Sequence, residues 1–181
     1  TCVCHIFFLA PFSYALAAEN AEDAGFMVAK KAFNDGFYDL AKDKVEAFLD
    51  LYPHTPYLYD AHILLGRCSY NLNNPAKAVN EFNIILEASG GSALEDEALY
   101  WMGEIAFNEG DYNKALEYYQ DIIKRFPSSR YVSYAYYSKG WAYFELGFLE
   151  EAMDLFRDVA QKYPFDKIAM DSQFRIGESE Y

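Results

Sequence analysis

The residue types that could carry out chemistry are few and scattered in this sequence. His54 and His62 are the histidines that follow the first apolar segment, and no cysteine pair accompanies them, so their spacing does not fit a zinc site. Carboxylates cluster at predicted helix starts, where they favour the helix dipole and remain solvated, so a structural role outweighs acid/base catalysis. These clusters are Glu22-Asp23, Glu95-Asp96-Glu97 and Glu150-Glu151. With no glycine-rich phosphate loop and no Ser/His/Asp arrangement, we predict no catalytic, cofactor-binding or metal site, and no enzyme.

A fixed period organises the chain instead. Four alanines, Ala41, Ala78, Ala115 and Ala152, fall 37 residues apart. A bulky apolar residue follows each of them four positions later, a chain breaker follows twelve positions later, and glycine or asparagine precedes by five. These residues are Val45, Phe82, Tyr119 and Phe156; Pro53, Gly90, Pro127 and Pro164; and Gly36, Asn73, Gly110 and Gly147. Such a period is typical of stacked supersecondary units and points to binding rather than catalysis.

Each period contains two amphipathic stretches joined by a short turn, which predicts a pair of α-helices. Asn74-Pro75 is an N-cap followed by a first-turn proline, and Ser92 with Glu95 resembles a capping box. Further starts are predicted after Thr55-Pro56, Ser128-Ser129, Asp39 and Asp111, and near Leu149. The predicted helices are 20–34, 38–52, 56–72, 75–88, 93–108, 112–126, 130–145, 149–163 and 167–181. No stretch alternates like a strand, so the sequence predicts an all-α protein.

A small residue recurs inside the first helix of each pair. The residues are Ala29, Gly66, Gly103, Gly140 and Gly177. Glycine costs about 1 kcal/mol against alanine inside a helix, so its recurrence predicts a close approach of two helix backbones. The alanines of the second helix, Ala115 among them, are expected to supply the matching flat surface.

At these residues the chain resembles the tetratricopeptide repeat family, whose pattern runs W-x2-L-G-x2-Y, a glycine, A-x3-F and P. The matches are Leu65-Gly66, Met102-Gly103, Gly140 with Tyr143, Ala152 with Phe156, Pro127 and Pro164. The leading tryptophan is replaced by Gly25, His62, Leu99, Tyr136 and Gln173, and the period is 37 residues. The resemblance implies a right-handed α-solenoid of antiparallel helix pairs. We place the repeats at 22–58, 59–95, 96–132, 133–169 and, in part, 170–181.

The extra residues of the period fall in linkers that combine aromatic residues with proline. Examples are Tyr52-Pro53, Phe126-Pro127 and Tyr163-Pro164. Such linkers resemble those of exported bacterial repeat proteins, namely the outer-membrane barrel-assembly lipoproteins and the periplasmic coordinators of cell division.

One stripe of each first helix, at positions i, i+4 and i+7, is rich in aromatic residues. It reads Phe26-Lys30-Phe33, Ile63-Arg67-Tyr70, Tyr100-Glu104-Phe107, Tyr137-Trp141-Phe144 and Phe174-Glu178-Tyr181. In the family this stripe lines a concave groove that holds peptides, which implies a partner-binding role. The alternative is packing between successive first helices, which we favour for Phe33, Tyr70, Phe107 and Phe144. The groove candidates are Lys30, Arg67, Tyr100, Glu104, Tyr137 and Trp141.

Three asparagines follow this stripe and extend the predicted groove. Asn34, Asn71 and Asn108 could hydrogen-bond a peptide backbone through donor and acceptor together. The alternative, slightly favoured, is a helix C-terminal residue that stabilises the turn. Some family members grip a terminal carboxylate with a basic clamp. Here Lys30 and Arg67 are followed by Glu104, so the clamp is not reproduced.

The net charge of −13 disfavours nucleic acid and anionic membranes as partners, because both are polyanions. Protein or peptide segments of envelope proteins are the expected partners, with membrane association only through them. The apolar run 6–15 is too short to span a bilayer and precedes Ala15-Leu16-Ala17, which predicts a signal peptide over 1–17 and an extracytoplasmic, periplasmic location. The alternative is a buried amphipathic helix. Since the chain opens at Thr1 without a basic leader, we expect a gene product truncated at its start.

Cysteine use agrees with export. Cys68 is the one cysteine that follows the predicted leader, so it has no intramolecular disulfide partner there and is expected to be a small buried side chain. Cys4 precedes the apolar run, where a lipoprotein cysteine would follow it, so lipid anchoring is not predicted.

Two functional hypotheses remain. The first is a non-enzymatic envelope scaffold that holds partner segments in the groove. The second is a targeting or dimerising arm of a larger exported enzyme whose catalytic domain lies beyond Tyr181. The sequence favours the scaffold, because the residues that it needs are present.

Overall fold

The computed structural model describes residues 10–88, 93–166 and 168–173, with side chains from residue 21 onward. The helices are α1 (Ala10–Asn34), α2 (Tyr38–Leu51), α3 (Leu58–Asn71), α4 (Pro75–Leu86), α5 (Glu95–Asn108), α6 (Tyr112–Arg125), α7 (Val132–Glu145) and α8 (Leu149–Lys162). Residues 168–173 are also helical, and these described residues contain no strand, so the all-α prediction is confirmed. The predicted Ser92 cap, Gly90, and residues 174–181 with Gly177 lie outside the described residues.

The first helix begins ten residues earlier than the sequence predicted. It starts at Ala10 and continues through Ala15-Leu16-Ala17, because alanine and leucine are strong helix formers and no glycine or proline lies between Pro11 and Ala17. The prediction of a helix start at residue 20 is therefore wrong. The prediction of a signal peptide concerns export and stays a prediction.

Two aromatic linkers delay the helix that follows them. Thr55 Oγ1 accepts from the backbone N–H of Tyr57 at 3.1 Å, and Ser129 Oγ accepts from that of Tyr131 at 2.9 Å. Both hydroxyls therefore close a tight turn in the linker rather than cap the helix itself. As a result α3 and α7 begin at Leu58 and Val132, two residues later than predicted.

The second helices of the pairs begin close to the predicted positions. Asn74 Oδ1 accepts from the N–H of Lys77 at 3.1 Å, so the predicted N-cap is confirmed. Asp111 Oδ1 accepts from the N–H of Lys114 at 3.1 Å and caps the helix that was predicted to begin after it. The second helix of the first pair already begins at Tyr38, which places Asp39 inside the first turn rather than before it.

The chain divides into two compact units, Thr1–Ala78 and Val79–Tyr181. In the first unit α1 packs against α2 and α3, and α2 packs against α3. Cys68 is fully buried and free, and burial raises the pKa of its thiol to about 11, so the predicted buried side chain is confirmed. The linker residue Tyr57 stacks on Phe26 with ring centroids 4.9 Å apart and donates to Asp23 Oδ1 at 2.7 Å.

In the second unit α5, α6, α7 and α8 pack in sequence, and α5 also contacts α7. Tyr119, Ile122 and Phe156 are buried in its core. The linker residue Tyr131 stacks on Tyr100 at 5.1 Å, two periods after the stacking of Tyr57 on Phe26. In each unit, a linker tyrosine thus stacks on an aromatic ring of the preceding first helix.

The small residues of the first helices make room for aromatic rings. A Cβ added at Gly103 would lie 2.5 Å from Cε1 of Tyr119, and one added at Gly140 would lie 2.7 Å from Cε1 of Phe156. Both rings belong to the residue four positions after the buried alanine of the second helix. The nearest neighbour of the glycine at these two positions is thus an aromatic ring, which the sequence analysis did not predict, and Ala115 is fully buried as expected.

Candidate partner-binding site

A pocket of about 280 Å³ lies between α5 and α7 of the second unit. It is lined by Tyr100, Glu104, Phe107, Tyr134, Tyr137, Ser138, Trp141 and Ile168. Four of these residues, Tyr100, Glu104, Tyr137 and Trp141, are groove candidates from the sequence. Half of the residues that line this pocket are thus predicted groove residues, and they come from the first helices of two successive repeats.

The polar centre of the pocket is the carboxylate of Glu104. Its Oε1 accepts from the hydroxyl of Tyr119 on α6 at 2.8 Å and from that of Ser138 on α7 at 2.8 Å. The hydroxyl of Tyr100 is a third hydrogen-bond partner. Burial raises the pKa of Glu104, and these hydrogen bonds oppose the rise because they stabilise the ionised form.

The charge of Glu104 is solvated by hydroxyl groups. Among the described residues no cationic side chain pairs with it. Glu97, at the other end of α5, differs: it is buried and its Oε2 accepts from the guanidinium of Arg130 at 2.8 Å. Of these two carboxylates on the same helix, Glu97 has an arginine partner and Glu104 has none among the described residues.

Aromatic side chains form the walls of the pocket and are held by further rings. The Trp141 ring packs edge-on against Tyr137 at 6.3 Å and against the buried Phe156 at 5.6 Å. On the other side, Tyr100 meets Tyr134 edge-on at 6.0 Å. Because Trp141 is half-buried against core rings, it supports the fold as well as the pocket wall.

The last aromatic residues of the stripes lie in different environments. Phe107 packs against Tyr112 at 5.2 Å and also lines the pocket. Phe33 is partly buried against the core of the first unit, as predicted. Phe144 is 45% exposed and contacts Trp141 at 5.5 Å, so the prediction of a buried core residue is wrong there.

The groove candidates of the first unit lie on α1 and α3. The ammonium of Lys30 lies 5.6 Å from the Phe26 ring centroid, and the guanidinium of Arg67 lies 4.5 Å from that of Phe33. Both are cation–π contacts within the chain. Arg67 thus bridges from α3 to the stripe of α1.

The asparagines occupy equivalent helix ends. Asn34, Asn71 and Asn108 are exposed and are the last residues of α1, α3 and α5. Asn71 Nδ2 donates to the carbonyl of Arg67 at 2.8 Å, which is the helix-terminal role given above as the alternative. Their binding to a partner stays a prediction.

Two lining residues of α7 were missed by the sequence analysis. Tyr134 and Ser138 precede the predicted stripe by about one helical turn, and with Trp141 they repeat the spacing i, i+4 and i+7. On α5 the pocket uses the predicted stripe. The spacing i, i+4 and i+7 was therefore present on α7, but the pocket residues begin three positions before the predicted stripe.

The described residues offer no group of three or more His, Cys, Asp or Glu side chains that could hold a metal ion. Within the same part of the chain, no helix combines the length and apolar character needed to cross a bilayer.

Solved structures share this fold. The MamA protein is 23% identical over 81% of this chain and 75% of its own, with a TM-score of 0.62. YrrB, described as a TPR protein with an unusual peptide-binding site, is 21% identical over 86% of this chain and 75% of its own, with a TM-score of 0.63. The pilF protein of Pseudomonas aeruginosa is 16% identical over 88% of this chain and 71% of its own, with a TM-score of 0.67. These identities show the fold alone and confirm the predicted solenoid class.

Sequence comparison agrees with the fold. No curated protein sequence matches the chain. Sequence profiles described as tetratricopeptide repeat match residues 26–93, 97–129 and 134–166, which together make up most of the chain. The chain belongs to the tetratricopeptide repeat family.

Proposed function

We propose that this chain binds segments of partner proteins along the stripe of its first helices, and that the pocket between α5 and α7 is one point of contact. The observation that carries the proposal is the convergence of Tyr100, Glu104, Tyr137 and Trp141 on that pocket. Aromatic residues are enriched in protein interfaces, and binding pockets combine apolar and aromatic walls with a small number of polar groups.

Family membership supports the same class of function. Tetratricopeptide repeat proteins are generally non-catalytic scaffolds for protein interaction, and this chain is a scaffold of that type. That it has no enzymatic activity of its own stays part of the proposal.

The proposed setting is the bacterial cell envelope, with export by the apolar segment at the start of the chain. The support is the run 6–15 followed by Ala15-Leu16-Ala17. Mass spectrometry of the protein purified from its host tests this. A mature N-terminus directly after Ala17 supports export, and a chain that retains the segment contradicts it.

A random peptide library displayed on phage tests the binding function. The two tryptophans of the chain offer a matched pair, because Trp141 in α7 lines the pocket and Trp101 in α5 does not. We expect peptides selected on the wild-type chain to lose affinity by at least about tenfold on Trp141→Ala, since buried tryptophans dominate binding energies. The same peptides should keep their affinity for Trp101→Ala.

Melting curves of both variants accompany the binding measurement, because each variant removes a half-buried indole. Selected peptides that bind both variants as tightly as the wild type would contradict the pocket as a contact point. A library that yields no binding peptide at all would contradict the scaffold proposal.

A further inference from the structure

The pocket between α5 and α7 holds a half-buried acid, Glu104, that the described residues do not neutralise. The hydrogen bonds from Tyr119 and Ser138 both end on Oε1 of Glu104. A carboxylate offers about four acceptor positions over its two oxygens, so with three hydroxyl partners, those of Tyr119, Ser138 and Tyr100, Glu104 retains acceptor capacity. A buried carboxylate is costly unless a positive group compensates it.

The same helix shows how this chain compensates a buried carboxylate elsewhere. Arg130 donates to Oε2 of Glu97 at 2.8 Å while its guanidinium lies 4.8 Å from the ring of Tyr131. That arrangement combines a buried acid, an aromatic face and an arginine. At Glu104 the acid and the aromatic faces are present in the described residues, and the cation is missing.

We infer that the pocket binds the cationic side chain of an arginine or lysine in the partner segment, with Glu104 as its counter-ion. The inference rests on the proposed function and names the chemistry of the residue that the pocket accepts. The rings of Tyr100, Tyr137 and Trp141 then surround the aliphatic part of that side chain and offer their faces to its charge.

Charge complementarity favours the same occupant. The chain carries a net charge of −13, which attracts basic segments and repels acidic ones over distances of about a Debye length. Arginine fits the pocket better than lysine, because its planar guanidinium stacks on rings and is more weakly hydrated than an ammonium. A pocket of about 280 Å³ has room for one such side chain.

The test uses a capped tripeptide with arginine between two glycines, and the same tripeptide with citrulline. Citrulline keeps the shape of arginine and loses the charge. The readout is the indole N–H resonance of Trp141 in the nitrogen-15 labelled chain, and Trp101 provides the internal reference. We expect the arginine peptide to shift the Trp141 signal in a saturable way and to bind at least about tenfold more tightly than the citrulline peptide.

A charge-matched pair of variants completes the test. Glu104→Gln keeps an oxygen that can accept from Tyr119 and Ser138 and removes the charge, whereas Glu109→Gln changes the net charge equally at an exposed position of the same helix end. We expect the arginine peptide to lose at least about tenfold in affinity on Glu104→Gln and to bind Glu109→Gln like the wild type.

Three outcomes would overturn the inference: equal binding of the arginine and citrulline peptides, equal binding to both variants, or no shift of the Trp141 signal at saturating peptide. Peptides from the random library separate this failure from that of the proposed function. If those peptides depend on Trp141 but tolerate both Glu104→Gln and the replacement of their basic residues, the scaffold stands and the cation pocket does not.

Discussion

Substitution of Gly103 by alanine tests how the helix pairs of this chain fit together. Gly103 lies in α5 opposite the ring of Tyr119 in α6. An added methyl carbon would lie 2.5 Å from Cε1, 2.9 Å from Cδ1 and 3.1 Å from Cζ of that ring. Ordinary contact begins near 3.4 Å, so the ring has to move by about 1 Å.

The ring has little freedom to move. Tyr119 is fully buried, and its hydroxyl is tied to Glu104 at 2.8 Å. Overpacking of a core costs about 1 to 3 kcal/mol, and a rigid, anchored ring puts this site at the upper end. Alanine gains about 1 kcal/mol over glycine as a helix former. We therefore expect Gly103→Ala to lower the free energy of unfolding by about 2 kcal/mol.

Chemical denaturation monitored by circular dichroism measures this change, and Gly25→Ala is the matched control. Gly25 lies inside α1, and its added methyl carbon would lie 3.5 Å from Cδ2 of Phe48, an ordinary contact distance. At Gly25 only the helix propensity changes, so we expect Gly25→Ala to raise the free energy of unfolding by about 0.5 to 1 kcal/mol. The two substitutions should thus change stability in opposite directions.

The partner ring provides the decisive comparison. In the first pair the equivalent residues are Ala29 and Val45, both fully buried in one cluster. Tyr119→Val reproduces the smaller partner and costs about 3 kcal/mol by itself, as large-to-small core substitutions do. In that background Gly103→Ala should become neutral or stabilising. If Gly103→Ala costs the same with and without the ring, the ring is not the reason for the glycine.

Three further substitutions have defined outcomes. Burial raises the pKa of Glu104 in the folded chain above its value in the unfolded chain. The folded state therefore binds this proton more tightly, and the free energy of unfolding falls as pH rises through the folded-state pKa. Glu104→Gln should therefore melt at a higher temperature than the wild type at about pH 8, with a difference that shrinks toward about pH 5. A difference in melting temperature that does not change with pH would contradict this. Tyr119→Phe removes the hydroxyl that donates to the half-buried Glu104 carboxylate and should cost about 1.5 to 3 kcal/mol in urea denaturation. Ala115→Leu adds volume at a fully buried position and should cost about 1 to 3 kcal/mol in the same assay, whereas unchanged stability would place Ala115 outside the helix contact.

The fold could be predicted because the same residue types recur at the same positions in each repeat. The period places the helix pairs, and the caps at Asn74 and Asp111 are side-chain signals with one dominant meaning. The linkers were harder to interpret. Thr55 and Ser129 hydrogen-bond within a turn, and the same residue types serve as helix caps, so sequence alone could not separate the two.

The site could be predicted only in part, because a stripe of residues defines a helix face but not the neighbour that meets it. The spacing on α5 identified Tyr100 and Glu104. On α7 it missed Tyr134 and Ser138, because the stacking of one helix on the next shifts the facing residues by about one turn. The hydroxyl of Tyr119 comes from a second helix, which no spacing along α5 could reveal.

One register position accounts for the character of the pocket. Glu104 and Trp141 are equivalent residues of successive repeats, and so are Tyr119 and Phe156. In one repeat the pair forms a hydrogen bond of 2.8 Å, and in the next it forms a ring contact at 5.6 Å. The same geometry therefore produces a polar wall and an aromatic wall that face each other across α5 and α7. Since Tyr119 both fills the space beside Gly103 and donates to Glu104, the packing of the repeat also holds the acid in place. The stability cost of that acid and its proposed role in binding a cation are two consequences of the same burial.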